Sequence, residues 1–438
     1  MPYAMVTLKT GFLQLQEAAK LLQVSPDTIR RWAKKGLIKA GRDENNHRFF
    51  EISELNAIKQ KLNGGSKDSK KSFEVLKAKP TNFNVIELFS GCGGMALGFE
   101  NAGLETKLLV EIDKNAAATM RLNRPNWNII NGDIKDVSFK EYQEKIDVLA
   151  GGFPCQAFSY AGKGLGFGEP RGTLFFEFLR ATNEIRPKVV LGENVRGLIQ
   201  HDSGRTLKTM VHCLEEAGYT VFHHLVRAQF LDVPQKRERL IILGVRKDLK
   251  LKHMFPVEKS YTVSLQEAFK DIPESDGYKY SQRKYEIMKL VPEGGYWRDL
   301  PVDIQKEFMG ASFFHGGGKT GMARRLSMDE PSLTLTCNPA QKQTERCHPK
   351  ETRPLSIREY ARIQTFPDKW NFVGPVSSRY QQIGNAVPVN LAYHLGVGIV
   401  KMLRQSPEDK EHFIKDKIEI DEMKSTQLEL NILETIGS

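Results

Sequence analysis

The feature that most constrains the fold is a short apolar segment that leads into a glycine-rich turn and then a helical pattern, NVIELFSGCGGMALGFENAG. Glycines at positions 91, 93 and 94 permit a tight strand-to-helix turn and a close approach of the backbone to a ligand. The next apolar segment ends in Glu111, 18 residues after Gly93, near the spacing at which an acidic side chain meets a ribose diol. The two segments predict a β-α-β unit that binds a nucleoside-containing ligand.

Further apolar segments end in polar or reactive residues. The segment NGDIKDV places Asp133 at a strand end, GGFPCQAFS places Cys155 just after another, and VVLGENVRGL places Glu193 at a third. Strands that alternate with helices predict an α/β fold, a doubly wound and mostly parallel sheet whose carboxyl ends form the ligand cleft. We expect Cys155 to lie in that cleft, because its loop, shaped by Pro154, is typical of exposed turns rather than of packed cores.

Two ligands fit such a cleft. A dinucleotide favours the pattern G-x-G-x-x-G, whereas this turn reads Gly91-Cys92-Gly93-Gly94, with Gly98 four positions further on. The departure favours S-adenosylmethionine over a nicotinamide dinucleotide, although the turn alone does not decide between them.

The first 62 residues predict a small helical domain with a basic surface. The formal charge of the chain is +11, and residues 1–80 hold 16 Lys and Arg against 8 Asp and Glu, which favours a polyanionic partner such as nucleic acid. In LQLQEAAKLLQVSPDTIRRWAKKG, two short helices are joined by a tight turn, and a polar loop and a third helix follow. This pattern resembles a winged helix-turn-helix of the MerR type, with a protein-contact hairpin as the alternative. The resemblance implies DNA contacts from Thr28, Arg30, Arg31 and Arg48.

The remaining motifs occur in a recognisable order. After ELFSGCGG and GGFPCQAFS come VVLGENVRGL, FLDVPQKRERLIILGV, RPLSIREYARIQTFPDKW and YQQIGNAVPVNLAYHLG. With these motifs, residues 83–255 and about 348–403 resemble the C5 cytosine-specific DNA methyltransferases. The resemblance implies a Rossmann-like S-adenosylmethionine-dependent methyltransferase fold that carries a smaller target-recognition domain.

Composition and the resemblance together predict how the chain is divided. We expect a winged helix-turn-helix domain at 1–62, a flexible linker rich in Gly, Ser and Lys at 63–82, and a catalytic domain at 83–255. A target-recognition domain at 256–347 would follow, then a return segment at 348–403 that completes the catalytic domain, and a charged tail at 404–438.

Four catalytic residues follow from the resemblance and from the chemistry of cytosine. Carbon C5 is a poor nucleophile until a soft thiolate adds to C6, which is the role implied for Cys155. Glu193 would stabilise the attacked ring at N3 and the exocyclic amine, and Arg239, supported by Arg237, would hold the cytosine O2. The chemistry requires no metal.

The resemblance further implies a cofactor pocket and DNA contacts. Asp133 would lie near the adenine amine with Ile134 stacked on the ring, and Glu111 would bind the ribose hydroxyls. The remaining cofactor candidates are Phe89, Ser90, Gly91, Gly93, Gly94, Ile112, Pro154, Asn385 and Val387. The candidates for DNA contacts outside the helix-turn-helix are Ser159 and Arg171 in a glycine-rich loop, and Arg324, Arg325, Lys342 and Arg346 in the target-recognition domain.

Composition limits the other possibilities. No apolar run approaches the length of a membrane span, and five widely spaced cysteines indicate neither a disulfide framework nor a zinc site. We therefore expect a cytoplasmic enzyme that acts as a monomer on double-stranded DNA, with a cognate restriction endonuclease encoded nearby. The alternatives are a DNA-binding regulator that only senses S-adenosylmethionine and, less favoured, a nicotinamide oxidoreductase.

Overall fold

The computed structural model describes residues 11–22, 24, 26–34, 36–43, 46–63, 71–153, 174–315 and 319–405. At the N-terminus, three helices pack around a small sheet in which β3 is the central strand. Ala18, Ile29, Phe50 and Leu55 form its buried core. The elements are β1 (Phe12–Gln14), α1 (Leu15–Leu22), α2 (Pro26–Lys34), β2 (Gly41–Arg42), β3 (Arg48–Glu51) and α3 (Ile52–Asn63).

The central part of the chain forms a seven-stranded sheet. The elements of this sheet and of the segments that connect its strands are β4 (Asn84–Leu88), α4 (Gly94–Asn101), β5 (Glu105–Glu111), α5 (Lys114–Asn123), β6 (Ile129–Asn131), β7 (Val148–Gly151), α6 (Leu174–Ile185), β8 (Val189–Val195), α7 (Arg205–Glu216), β9 (Tyr219–Arg227) and β11 (Glu238–Arg246). A further short strand, β10 (Gln235–Lys236), precedes β11 and lies outside the seven-stranded sheet. The strand order is β6-β5-β4-β7-β8-β11-β9. The five neighbouring strands β6, β5, β4, β7 and β8 run parallel to one another, and β11 runs antiparallel to both of its neighbours, β8 and β9. The predicted α/β class with a mostly parallel sheet is confirmed.

Both faces of this sheet are buried, because successive side chains of a strand point to opposite faces. Val85 belongs to the apolar cluster that includes α4 and the helix Val389–Leu403, whereas Ile86 and Leu88 belong to the cluster under α6 and α7. Strand order reverses at β4, so the crevice beside its carboxyl end is where a ligand is expected.

The remaining elements follow the sheet along the chain. They are α8 (Leu265–Ala268), α9 (Gln282–Lys289), α10 (Val302–Met309), β12 (Ser332–Leu333), α11 (Ile357–Ile363), α12 (Val376–Asn385) and α13 (Val389–Leu403). Between 256 and 347 the structure consists of short helices and loops around a separate apolar cluster that contains Met288, Trp297 and Met309. Strand β12 pairs in parallel with β10 to form a separate two-stranded sheet, which joins this region to the segment that leads into β11.

Helix α13 returns to the sheet and packs against α4. A Cβ on Gly98 would lie 2.4 Å from Ala392 Cβ, so the two helix backbones touch where glycine stands. By length and composition alone, Val376–Leu403 could cross a membrane, but 67% of its apolar window is buried in this core. Its apolar character is therefore explained by packing.

The flexible linker predicted at 63–82 is wrong for its second half. Ala78 N donates to Asn101 O at 2.7 Å, and Thr81 N donates to Gly103 O at 2.8 Å. Asn390 Oδ1 accepts from Leu76 N, and its Nδ2 donates to Glu74 O. These hydrogen bonds fix the segment to the catalytic body, and composition alone could not indicate them.

Candidate active site

A cavity of about 650 Å³ opens at the carboxyl ends of β4, β5, β7 and β8. It brings together three groups of candidates that are far apart in the sequence. From the glycine turn and β5 come Phe89, Ser90, Gly91, Gly94 and Glu111; from β8 and the start of β11 come Glu193, Arg237 and Arg239; and from the turn after α12 come Asn385 and Val387.

The glycine turn has the conformation that its sequence predicts. Gly91 and Gly93 have φ values of 54° and 85°, in the left-handed region that favours glycine. Gly94 meets a different constraint, because a Cβ there would lie 2.5 Å from Val387 O. Glycine is therefore needed here both to turn the chain and to let the turn after α12 approach.

Glu111 terminates β5 and faces the glycine turn. Its Oε2 accepts from Gly91 N at 2.6 Å, and its Oε1 accepts from Asp113 N at 2.8 Å. Burial raises the pKa of Glu111, and the two backbone hydrogen bonds oppose that rise. Each carboxylate oxygen keeps a further lone pair, which suits the hydroxyls of a ribose.

Glu87 is a cavity residue that sequence reasoning missed. It is 2% exposed, and its Oε2 has no hydrogen-bond partner among the described residues. Burial first, and the nearby Glu111 second, raise the pKa of Glu87 well above its usual range. A glutamate inside the apolar run NVIEL was the available signal, because a carboxyl in a buried strand needs a reason.

Glu193 and Arg239 form a close pair at the other end of the cavity. Arg239 Nε lies 2.8 Å from Glu193 Oε1, and both side chains are largely buried. The register of β8 against β11 pairs Arg239 with Val195, two residues along from Glu193, so both side chains lie on one face. Gly152 leaves room for the carboxylate, since a Cβ there would lie 3.2 Å from Glu193 Oε2. Burial lowers the pKa of Arg239, and the charge of Glu193 opposes that change.

Arg237 lies deeper than Arg239. Its Nη1 donates to Gly384 O at 3.2 Å, whereas its Nε has no hydrogen-bond partner in the described part of the chain. Burial lowers the pKa of Arg237 to about 9, which still leaves the guanidinium charged at neutral pH.

Asn194 holds the chain that leads to the predicted nucleophile, a role that was not foreseen. Its Nδ2 donates to Phe153 O at 2.9 Å, and Phe153 lines the cavity directly after β7. Cys155 itself lies outside the described residues, as do Pro154, Ser159 and Arg171.

Three predicted cofactor residues, Asp133, Ile134 and Ile112, are not among the residues that line the cavity. Asp133 caps a short 3₁₀ helix, Ile134–Asp136, by accepting from Lys135 N. Ile134 is 4% exposed and belongs to the apolar core, so its stacking on the adenine ring stays a prediction. Ile112, next to Glu111, is 69% exposed, so its apolar side chain is available to contact a ligand at this end of the sheet.

The predicted DNA contacts in the 256–347 region need correction. Arg325 is 5% exposed, and all five of its N–H groups donate to the protein, four of them to backbone carbonyls: Val291, Met288, His348 and Glu351. It is a structural residue, not a DNA contact. Arg346, 5% exposed, likewise donates to Thr334 O and Glu345 O, and Arg324 is buried beside Tyr296. Lys342 lies over the ring of Phe308.

In the N-terminal domain, the predicted contacts are on the expected elements. Thr28, Arg30 and Arg31 lie on α2, and Arg30 is exposed and forms an ion pair with Asp27. Arg48 begins β3 and lies opposite Arg42 of β2 in the strand register. Strands β2 and β3 together form the hairpin of the predicted wing.

Comparison with known proteins identifies the family. The model of the C-5 cytosine-specific DNA methylases matches residues 83–401. The chain belongs to the C-5 cytosine-specific DNA methylases. A second model, of the MerR family regulatory proteins, matches residues 15–50.

Several relatives of this methylase are similar over most of their length. It is 56% identical to the Type II methyltransferase M.Eco47II of Escherichia coli over 90% of this chain and 97% of that protein. It is 52% identical to M.PspPI of Psychrobacter sp. over 89% and 96% of the two chains. Among solved structures, a prophage-encoded DNA modification methyltransferase of E. coli is 25% identical, with a TM-score of 0.56, over 74% of this chain and all of that one.

Family membership implies S-adenosylmethionine as methyl donor and DNA as substrate, and the cavity fits that donor. Acceptor oxygens at Glu111 match the ribose diol, and the glycine turn provides backbone contact without a set of phosphate-binding groups. Among the described residues there is no group of three or more His, Cys, Asp or Glu side chains that could hold a metal ion.

Proposed function

We propose that this methylase modifies C5 of a flipped-out cytosine in a specific duplex site through a covalent bond between Cys155 and C6. The observation that carries the proposal is the cavity that the glycine turn and Glu111 line together with the Glu193–Arg239 pair. Cys155 follows Phe153 of the cavity wall by two residues, a reach of about 7 Å in an extended chain.

In this proposal, Cys155 starts the reaction. Its thiolate adds to C6, a C6–S bond forms, and the electron pair of the C5–C6 double bond moves into the ring and makes C5 nucleophilic. Bound S-adenosylmethionine supplies an electrophilic methyl group on a sulfonium centre. The C5–CH3 bond would form as the bond between the methyl group and the sulfonium sulfur breaks, with S-adenosylhomocysteine as the leaving group. Loss of the C5 proton to solvent would then re-form the C5–C6 double bond as the C6–S bond breaks and the Cys155 thiolate leaves.

Glu193 and Arg239 would stabilise the charge that develops on the ring. Attack at C6 moves electron density toward N3 and O2, so a carboxyl at N3 and a guanidinium at O2 stabilise the adduct more than the free base. The 2.8 Å ion pair fixes both groups before the base arrives. Arg237 adds a second buried positive charge behind them.

The substrate base would have to leave the helix. Stacking hides C6 in duplex DNA. Methyltransferases that act on a base reach it by flipping the target nucleotide out of the helix. The loop after Cys155 contains Gly162, Gly164, Gly166, Gly168 and Gly172, a composition that suits a segment closing over DNA. Ser159 and Arg171 remain candidates for phosphate contacts in that loop.

For the biological role, we infer a modification enzyme of a restriction-modification system. The relatives named Type II methyltransferases, similar over nearly their whole length, support this role. The proposal includes a cytoplasmic enzyme that acts as a monomer on its site, with a cognate restriction endonuclease encoded nearby.

The N-terminal domain extends the proposal. We infer that it binds DNA through α2 and the β2–β3 wing, either to tether the enzyme or to repress its own operon. The match to the MerR family regulatory proteins supports this role. Gel-shift titration of the full chain on its own upstream region, compared with an unrelated duplex, separates the two possibilities.

A covalent trap tests the central proposal. Fluorine at C5 cannot be lost as a proton, so a duplex with 5-fluorocytosine at the target should hold the chain covalently when S-adenosylmethionine is present. We expect a denaturation-resistant complex with the native protein and none with Cys155→Ala. A complex that forms equally with Cys155→Ala would refute the proposed nucleophile, and Cys213→Ala serves as the matched control.

A further inference from the structure

One wall of the cavity joins two segments that are distant in the sequence. Thr336 and Cys337 come from the end of the 256–347 region, and Gly384 and Asn385 come from the end of α12. A Cβ on Gly384 would lie 2.5 Å from Thr336 O and 3.0 Å from Cys337 N. The two backbones are therefore in direct contact, and only glycine permits this approach.

Buried amide side chains hold this wall in place. Gln235 Oε1 accepts from Leu335 N at 3.0 Å, and its Nε2 donates to Gln364 Oε1 at 2.7 Å. Gln364 Nε2 in turn donates to Ile383 O and Ala386 O, on either side of Asn385. Gln235 and Gln364 are both fully buried. The positions of the two segments are thus fixed relative to each other.

Cys337 makes a side-chain contact across this wall. Its Sγ donates to Asn385 Oδ1 at 3.1 Å, and both residues are exposed where they line the cavity. Partial burial of the Cys337 thiol raises its pKa, opposed by the charge of Arg237, so the thiol remains protonated and able to donate at neutral pH.

A second observation, an unpartnered buried donor, points to a ligand with acceptor atoms beside this wall. Arg237 is 2% exposed and lines the same cavity, and its Nε has no partner in the described residues. A buried N–H without an acceptor is costly, so a ligand that supplies one is expected there.

We propose that Cys337 is a positioning residue that orients the side-chain amide of Asn385 for cofactor binding. Because the thiol donates to Oδ1, the amide presents both N–H groups of Nδ2 on its other side, where they suit the carboxylate of a methionine moiety. The contact also couples the region predicted to recognise the DNA target to the cofactor pocket. This inference rests on the proposed function.

Two substitutions at one position test the role of the thiol in the full-length protein. We expect Cys337→Ala to raise both the KM for S-adenosylmethionine and the Kd for S-adenosylhomocysteine about three- to tenfold, with kcat changed less than twofold. This range corresponds to one net hydrogen bond. Cys337→Ser keeps a donor and should stay within twofold of the native values. Cys213→Ala, at a half-buried thiol on α7 outside the cavity, is the matched control.

A double-mutant cycle shows whether Cys337 acts through Asn385. In an Asn385→Ala background, Cys337→Ala should have no further effect on the Kd. Equal losses in both backgrounds, equal behaviour of Cys337→Ala and Cys337→Ser, or an unchanged Kd in Cys337→Ala would each overturn the inference. Failure of the native protein to bind S-adenosylhomocysteine would instead refute the proposed function, so the two failures are distinguishable.

Discussion

At the scale of single residues, the cavity concentrates buried charge. Glu87 and Glu111 lie on one side, and Arg237 and Arg239 lie on the other. Of these, Glu87 is not needed by the proposed chemistry and has an oxygen without a partner among the described residues. Its effect on stability can therefore be measured without removing a catalytic group.

Glu87→Gln should make the protein less sensitive to rising pH. The pKa of Glu87 is raised in the folded state, so its contribution to stability is full below the unfolded-state pKa and is lost as pH rises through the folded-state pKa. Without cofactor, the difference in free energy of unfolding between the variant and the native protein should increase in favour of the variant as pH rises. The increase should be at most about 1.4 kcal/mol per pH unit. Denaturant titrations between pH 5 and pH 9 measure this, and a difference that does not change with pH would contradict it.

At the scale of elements, the cavity depends on how closely α13 approaches α4. Helix α13 begins two residues after Val387, which contacts the glycine turn at Gly94. A displacement of α13 should therefore also shift Val387 against the glycine turn and change the shape of the cofactor pocket.

Gly98→Ala should destabilise the protein and weaken cofactor binding together. The new Cβ would lie 2.4 Å from Ala392 Cβ and 2.5 Å from Val389 O, so α13 must move. We expect a loss of about 1–3 kcal/mol in the free energy of unfolding and a higher Kd for S-adenosylhomocysteine. At Gly197 a Cβ would meet no atom within 4 Å, so Gly197→Ala should not lower stability. Equal melting temperatures of the two variants would disprove this account of the helix contact.

Elements and strand ends could be predicted from the sequence because they depend on local pattern. The glycine turn, Glu111 and Glu193 lie where apolar runs stop, and parallel strands bring such ends to one edge. Arg325 was misjudged because burial depends on packing against segments distant in the sequence. The same applies to residues 74–81, whose hydrogen bonds are to the end of α4, to Gly103 just beyond it and to α13.

At the scale of the whole molecule, the chain combines a methylase body with a MerR-like domain. Lys20 of α1 forms an ion pair of 2.9 Å with Asp299 of the 256–347 region. Because Lys20 is three-quarters exposed, this pair contributes little to stability and is weakened by salt.

Removing basic side chains from the N-terminal domain should change the salt dependence of DNA binding. Each phosphate contact contributes about 0.9 to the slope of log K against log salt concentration. We expect Arg30→Ala and Arg48→Ala each to reduce that slope by about this amount on a long duplex, with kcat for methyl transfer unchanged. Lys208→Ala, at an exposed position on α7, provides the charge-matched control. Unchanged slopes in both arginine variants would argue against DNA binding by this domain.

The most direct test of the central claim is transfer of a labelled methyl group from S-adenosylmethionine to unmethylated duplex DNA, with the modified bases mapped by bisulfite sequencing. The account predicts methylation at C5 of cytosine in one sequence context by the native protein, and its loss in Cys155→Ala. Transfer that persists in Cys155→Ala, or no transfer by a native protein that binds both DNA and cofactor, would contradict it.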